Sequence, residues 1–256
     1  MTNIAHASID IMPLVEIMQR LRDPETGCPW DVAQDFASIA PYTVEEAYEV
    51  EDAIARNDLN DLKGELGDLL LQVIFHSQMA AETETFTLQD VIDGICDKMV
   101  RRHPHVFADK AQSDWDWEKL KNEERSAKGQ SSAMDDIALP LPAAMRAQKI
   151  QKRAARTGFD WPDAQSCAAK IAEEQQELAE AQTAEHQHEE AGDLLFAAIN
   201  LVRHYKIDAE TALRDANRKF ERRFRAMEQM ADGQFDGLKL DEKEALWQAV
   251  KAKSLL

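Results

Sequence analysis

The stretch GELGDLLLQV, residues 64–73, returns as EEAGDLLFAA at residues 189–198. Glu65 and Asp68 of the first copy become Glu190 and Asp193 of the second, each 125 positions on (190 − 65, 193 − 68). In both copies the acidic pair runs into an apolar segment, LLLQVIF after Asp68 and LLFAAINLV after Asp193. A three-residue spacing places both carboxylates on one helix face, and the continuation reads as a helix buried on most sides. A carboxylate at the mouth of a buried helix calls for a partner, because taking a charge out of water is costly.

The repeat extends outward from this phrase. TGCPW at 26–30 answers TGFDW at 157–161, and EEAYE at 45–49 answers EEQQE at 173–177. KMVRRH at 98–103 answers KFERRF at 219–224, and WEKLK at 117–121, with Trp117, answers WQAVK at 247–251, with Trp247. Five elements in the same order twice indicate duplication of one unit. The stretch SAKGQSSAMDDIALPLP, residues 126–142, is small, polar and then broken by proline, so it reads as a linker. The expected domains are 1–130 and 131–256.

Apolar residues recur at helical spacing, as in Ile11, Leu14, Val15, Met18 and Leu21, and alternating β-branched runs are nearly missing. The fold class expected is all-α. The net charge of −18 argues against a nucleic-acid partner or an anionic membrane surface. It leaves room for a nucleotide substrate, since a bound cation inverts the local electrostatics of an acidic site. No signal peptide and no apolar run of membrane-spanning length are visible, and Cys28, Cys96 and Cys167 form no CxxC. A cytoplasmic protein is the expectation.

In EEQQE, Glu174 and Glu177 are three apart and Glu173 and Glu177 four apart, so they share a face. Residues 178–188 suffice to finish that helix, turn and begin the next, which would set the acidic faces against each other. Four like charges in one cleft repel unless neutralised, and all-oxygen anionic ligands suit a hard cation, Mg²⁺ or Mn²⁺. Either cluster alone reads first as a solvated acidic face, common in so acidic a chain, and the apolar continuation is what argues for more. A basic pair follows each acidic set, Lys98 with Arg102 and Lys219 with Arg223, at four-residue spacing. Metal-bound carboxylates with such a pair are equipment for holding a polyphosphate.

With EExxE, ExxD and a Lys/Arg helix in place, the chain resembles the MazG family of nucleoside triphosphate pyrophosphohydrolases, in its two-repeat bacterial form. The carrying segments, which span nearly the whole chain, are LRDPETGCPWD, APYTVEEAYEVEDAI, LKGELGDLLLQVIF, RRHPHVFAD, MRAQKIQKRAARTGFDW, HEEAGDLLFAAINLVRH and ANRKFERRF. The resemblance implies an all-α tandem repeat of a MazG-type unit, dimerisation, Mg²⁺, and hydrolysis of a nucleoside triphosphate to monophosphate and pyrophosphate. It points to nucleotide-pool housekeeping or stress-related nucleotide control. Carried over to this chain, it implies that Glu174, Glu177, Glu190 and Asp193 hold the metal. Glu173 and Glu189 would support the site, and Lys219, Arg223 and Trp247 would contact the nucleotide. Glu173 or Glu174 would take a proton from water.

The second copy is expected to do the work. It keeps one more acid, Glu189 beside Glu190 where Gly64 precedes Glu65, and its basic segment is richer. The first copy, with Glu45, Glu46, Glu49, Glu65, Asp68, Lys98 and Arg102, still has a complete minimal set for a second site. A homodimer with a four-helix core is expected, because one repeat has few helices with which to cover its apolar stripe. The pattern excludes a P-loop enzyme, since GxxxxGK[ST] is missing, and a Nudix enzyme, since only EEAG of that box is present. A di-iron bundle would need two ExxH motifs, and only Glu185–His188 exists. A rival of another class is a non-catalytic helical dimer that binds nucleotide or a partner protein and signals. His186 and His188 receive no role from the sequence, nor does it show the preferred base or sugar.

Overall fold

The computed structural model describes residues 10–108, 124, 129 and 131–253, and every regular element among them is helical. The chain divides into two compact units, Met1–Leu120 and Lys121–Leu256.

The first unit contains α1 (Met12–Leu21), α2 (Pro29–Val32), α3 (Phe36–Ala55), α4 (Leu59–Glu82), α5 (Leu88–Arg102) and α6 (Pro104–Phe107). The starts are written in side chains. The Ser38 amide donates to Asp35 Oδ1 at 2.8 Å while the Asp35 amide donates to Ser38 Oγ at 2.9 Å, a reciprocal cap for α3. Asp58 accepts from the Asn60 and Asp61 amides at the start of α4, and Thr87 with Asp90 caps α5. Asn57, at φ 55°, turns the chain between α3 and α4, which pack on each other as a hairpin. Their seam supplies Ile39, Ile74, Phe75 and Met79 to a core completed by Met18 of α1.

The loop after α1 is built as firmly as a helix. Asp23 Oδ1 accepts from the amides of Glu25 and Thr26 and from Thr26 Oγ1 at 2.7–3.0 Å. A Cβ on Gly27 would lie 2.4 Å from the Leu21 carbonyl oxygen, so only glycine fits. Arg22, its side chain 8% exposed, spans the loop and α4: it pairs with Glu82 at 2.7 Å and donates to the carbonyls of Asp31 and Gln34.

The second unit contains α7 (Ala143–Arg156), α8 (Ala164–Glu180), α9 (Ala184–His204), α10 (Ala209–Met230), a 3₁₀ turn (Phe235–Gly237) and α11 (Leu240–Lys253). The α8–α9 hairpin corresponds to α3–α4, and the three residues between its helices include the cap Thr183. The α9–α10 turn is pinned from α7: Gln148 Nε2 donates to the Ile207 carbonyl at 2.9 Å, and Gln148 Oε1 accepts from the Ala209 amide at 2.8 Å. Large apolar residues make the first core, whereas the buried set of the second unit is mainly small or polar, with Cys167, Ala197, Asn200, Gln148 and Gln151.

One expectation is met in part. After Asp68, Gln72, Ile74 and Phe75 are buried while Leu70 and Val73 are exposed, and after Asp193 the segment is buried or half-buried except at Leu195, which is 66% exposed. Trp117 lies outside the described residues, as does most of the linker's first part. The described cysteines Cys28, Cys96 and Cys167 are free thiols, and no helix among the described residues is long and apolar enough to cross a membrane.

Glu82→Gln tests the Arg22 clamp. It leaves a buried guanidinium short of its counter-charge and should cost about 2 kcal/mol, less than a fully buried pair would, because Glu82 is partly exposed. The Arg22 hydrogen bonds hold the Glu82 carboxyl below its ordinary range. A lowered folded pKa means the contribution is complete above about pH 4.5 and fades as pH falls through the lowered value. Urea unfolding of wild type and variant should therefore diverge at pH 7 and converge in acid.

Candidate functional site

Two short turns generate two acidic clusters. In the second unit the α8–α9 hairpin brings Glu174, Glu177 and Glu190 together, one carboxylate oxygen of each lying within 4.8 Å of the others. Glu174 is 5% exposed, Glu190 half-buried and Glu177 exposed. Lys170, one turn before Glu174 on α8, pairs with Glu174 at 2.7 Å and Glu173 at 2.8 Å. His186 Nε2 lies 2.8 Å from Glu190 Oε1.

These contacts set the local electrostatics. The Lys170 hydrogen bond, against the pull of burial, holds the Glu174 carboxyl below its usual range. Desolvation first, and then Glu174 and Glu190, push the Glu177 carboxyl up. The hydrogen bonds to Glu173 and Glu174 raise Lys170 in turn. Three carboxylates this close resist carrying three negative charges, and their all-oxygen donor set fits a hard divalent cation. Asp193 is exposed one turn beyond Glu190, outside the close group, and Glu173 and Glu189 are exposed at its edge.

The basic helix has its own organisation. On α10, Arg218 pairs with Asp215 and Arg225 with Glu221, both within the helix surface. Lys219 is exposed and Arg223 half-buried, and neither has an ion pair among the described residues. The Arg223 guanidinium lies 5.7 Å from the Trp247 ring centroid, and its Nε is buried without an acceptor. Trp247 in α11 also packs at 5.5 Å on Phe220, which stacks on Phe224. Arg223 and Trp247, twenty-four residues apart, are thus one structural group.

The first unit repeats the acidic arrangement with Glu46, Glu49 and Glu65, again within 4.8 Å. Burial and then the neighbouring Glu49 raise both Glu46 and Glu65, and Asp68 adds to the push on each. Glu45 and Asp68 are exposed, and Lys98 and Arg102 are half-buried on α5. Sequence reasoning missed three residues at the clusters, Lys170, His186 and Gln72, whose Nε2 lies 3.5 Å from Glu46 Oε1. Four-residue spacing from Lys170 to Glu174 and from His186 to Glu190 was the available signal for two of them. Gln72 meets Glu46 across the hairpin, and no spacing announces that.

The model of the MazG nucleotide pyrophosphohydrolase domain matches residues 34–107 and 163–227, so each acidic hairpin falls within its own match. The chain belongs to the MazG family. A nucleoside triphosphate pyrophosphohydrolase of Escherichia coli K12 is 52% identical over 255 residues, covering 94% of this chain and 97% of that protein. The Thermotoga maritima nucleoside triphosphate pyrophosphohydrolase/pyrophosphatase MazG is 45% identical over 237 residues, covering 92% and 91%. A nucleoside triphosphate pyrophosphohydrolase of Mycolicibacterium smegmatis is 35% identical over 155 residues, which is 58% of this chain and 47% of that protein. Trp247 lies beyond the second MazG match, so its place beside Arg223 is read from the structure alone.

Repulsion in the second cluster is testable without substrate. Because the Glu177 pKa is raised on folding, its favourable contribution is present below about pH 4.5 and is lost as pH rises through the raised value. At neutral pH the ionised side chain opposes folding. In EDTA, Glu177→Gln should melt above wild type at pH 7, and the difference should vanish near pH 4. A variant that melts lower at pH 7 would show that the three carboxylates do not repel.

Proposed function

We propose that this chain hydrolyses nucleoside triphosphates to the monophosphate and pyrophosphate, and that the second unit does the work with Mg²⁺, Mn²⁺ serving as a substitute. The observation that carries this reading is the close carboxylate group Glu174–Glu177–Glu190 in a unit whose basic helix keeps Lys219 and Arg223 without ion pairs among the described residues. The names of the E. coli and T. maritima relatives, similar over more than nine-tenths of the chain, support the reaction.

Glu174, Glu177 and Glu190 would hold the cation, with Asp193 completing the set from the next turn of α9. When bound, a hard cation neutralises phosphate charge and lowers the pKa of water. The remaining chemistry belongs to side chains. Glu173, exposed and held by Lys170, or Glu174 would accept the proton of the attacking water. Water adds at the α-phosphorus and the bond to the β-phosphate oxygen breaks, so negative charge builds on departing pyrophosphate. Lys219 and Arg223 meet that charge, and a donor as buried and unmatched as Arg223 Nε is suited to a phosphate oxygen. Trp247 presents an aromatic face beside Arg223, and Glu189 would support the site. The physiological role that fits is control of the nucleotide pool.

Assembly follows from the same surfaces. Leu66, Leu70 and Val73 on α4, Leu195 on α9, and Leu213 and Phe220 on α10 are exposed in the single chain. Burying them between equivalent units completes a four-helix core, so a homodimer is the expected working form. Light scattering at micromolar concentration should give twice the 29.0 kDa chain mass, and a monomer would contradict the assembly.

The decisive assay uses labelled ATP and Mg²⁺. The products should be AMP and pyrophosphate, and ADP with phosphate would overturn the mechanism. Glu177→Gln in the full chain should lower turnover at least roughly a hundredfold with helical content unchanged. Normal turnover in that variant would move the working site elsewhere.

A further inference from the structure

The basic helix α10 and the helix α11 that carries Trp247 meet through two rungs of side chains. On α10, Phe220 is one turn from both Arg223 and Phe224, so the three share a face. On α11, Lys243 and Trp247 are likewise one turn apart. In the rung farther from the connecting loop the helices touch directly: the Trp247 ring lies 5.5 Å from that of Phe220 and 5.7 Å from the Arg223 guanidinium. In the nearer rung α11 offers Lys243, which has no ring. A side chain from the loop fills that place. Phe235, in the 3₁₀ turn, meets Phe224 edge-on with centroids 5.0 Å apart, and Lys243 Nζ stands 5.0 Å from the centre of the same ring.

The loop is built to present that ring. Asp232 and Gly233, at φ 46° and 81°, turn the chain away from α10. The Gln234 amide then donates to the Ala231 carbonyl at 3.0 Å and the Gly237 amide to the Gln234 carbonyl at 3.1 Å. The Lys239 amide donates to Glu242 Oε2 at 2.8 Å, where α11 begins. Phe235 is half-buried, while its neighbours Gln234 and Asp236 are exposed. The ring matters because α11 packs chiefly on α10. A slip of one residue along that seam moves a helix by about 1.5 Å and turns its face by roughly 100°, enough to carry Trp247 off Arg223. An edge-on aromatic pair and a cation over a ring are geometry-dependent contacts that resist such a slip.

We propose that Phe235 is a positioning residue: it fixes the register of α11 on α10 and so holds Trp247 against Arg223, and nucleoside triphosphate binding depends on it although it does not touch the nucleotide. The Trp247 ring confines the Arg223 guanidinium, whose buried Nε is the donor without an acceptor. Loosening the ring weakens the hold on substrate and transition state alike, so KM rises and kcat stays. The effect on KM rests on the reading of Arg223 and Trp247 as nucleotide contacts; the position of the Trp247 ring does not.

The test uses the full-length protein labelled with 5-fluorotryptophan, the Trp247 resonance being assigned by its loss in Trp247→Phe. In Phe235→Ala, without nucleotide, that fluorine resonance should shift or broaden while those of Trp30 and Trp161 stay. With ATP and Mg²⁺ the same variant should raise KM roughly tenfold and keep kcat within about twofold, and Phe235→Tyr should match wild type in both. In a Trp247→Ala background, Phe235→Ala should raise KM no further, because the two side chains act through one contact. Phe235→Leu keeps most of the volume and carries the test if Phe235→Ala fails to fold; it should move the Trp247 resonance and raise KM about threefold. An unmoved Trp247 resonance, a fall in kcat at constant KM, or the same rise in KM with and without Trp247 would each overturn the proposal. Trp247→Ala alone is read separately: a wild-type KM would sink the reading of Trp247 as a nucleotide contact, and the fluorine spectrum would still decide what Phe235 positions.

Discussion

Mutual repulsion of carboxylates held within 4.8 Å of one another is the constraint around which each unit is arranged. A helical hairpin can impose it because the backbone, capped at both starts, decides where the side chains meet. The caps Asp58 and Thr183 sit at the beginnings of the acid-bearing helices α4 and α9. They fix where each second helix starts and hence which turn of it faces EEAYE or EEQQE. Folding energy from the rest of the unit is spent in keeping like charges together, which is a common way for a protein to prepare a cation site.

The two units meet that cost differently. The first has a core of large apolar side chains, a rigid loop closed on Gly27, and Arg22 bonded to both the loop and Glu82. The second buries alanines, a cysteine and amides, and it softens its cluster with Lys170 and His186. A frame of large apolar residues around carboxylates without a paired lysine, and a lighter frame around carboxylates that pair with Lys170, are two solutions to one electrostatic problem. Both frames leave apolar residues outward, Leu70 and Val73 in the first unit and Leu195 and Phe220 in the second.

Much of this was legible from residue spacing. The hairpins, the matched acidic faces and the helix carrying Lys219 and Arg223 follow from three- and four-residue periodicities that any α-helix must obey. The end of α5 at Arg102, just before Pro104, was legible for the same kind of local reason. What could not be read were contacts that cross between elements. Gln72 under Glu46, and Arg223 against Trp247, join residues whose separations in the chain carry no period. Exposure was misjudged for a related reason. An apolar run shows that a helix seeks cover, and it does not show whether its own chain supplies that cover, as Leu70 and Leu195 illustrate. Asp193 stands apart from the close group because ExxD spacing guarantees a shared face but not a shared height across the hairpin.

The Gln148 amide, bonded to both sides of the α9–α10 turn, has a mechanical consequence. Glu190 lies about fifteen residues before that turn and Arg223 about fifteen after it, so each sits at the end of an arm roughly 20 Å long. At that radius a swing of about 10° displaces a side chain by roughly 4 Å, more than the length of a hydrogen bond. Two hydrogen bonds from one side chain on α7 therefore govern the spacing of groups far from it. The fulcrum of the second unit is a glutamine that carries no charge and belongs to neither acid-bearing helix.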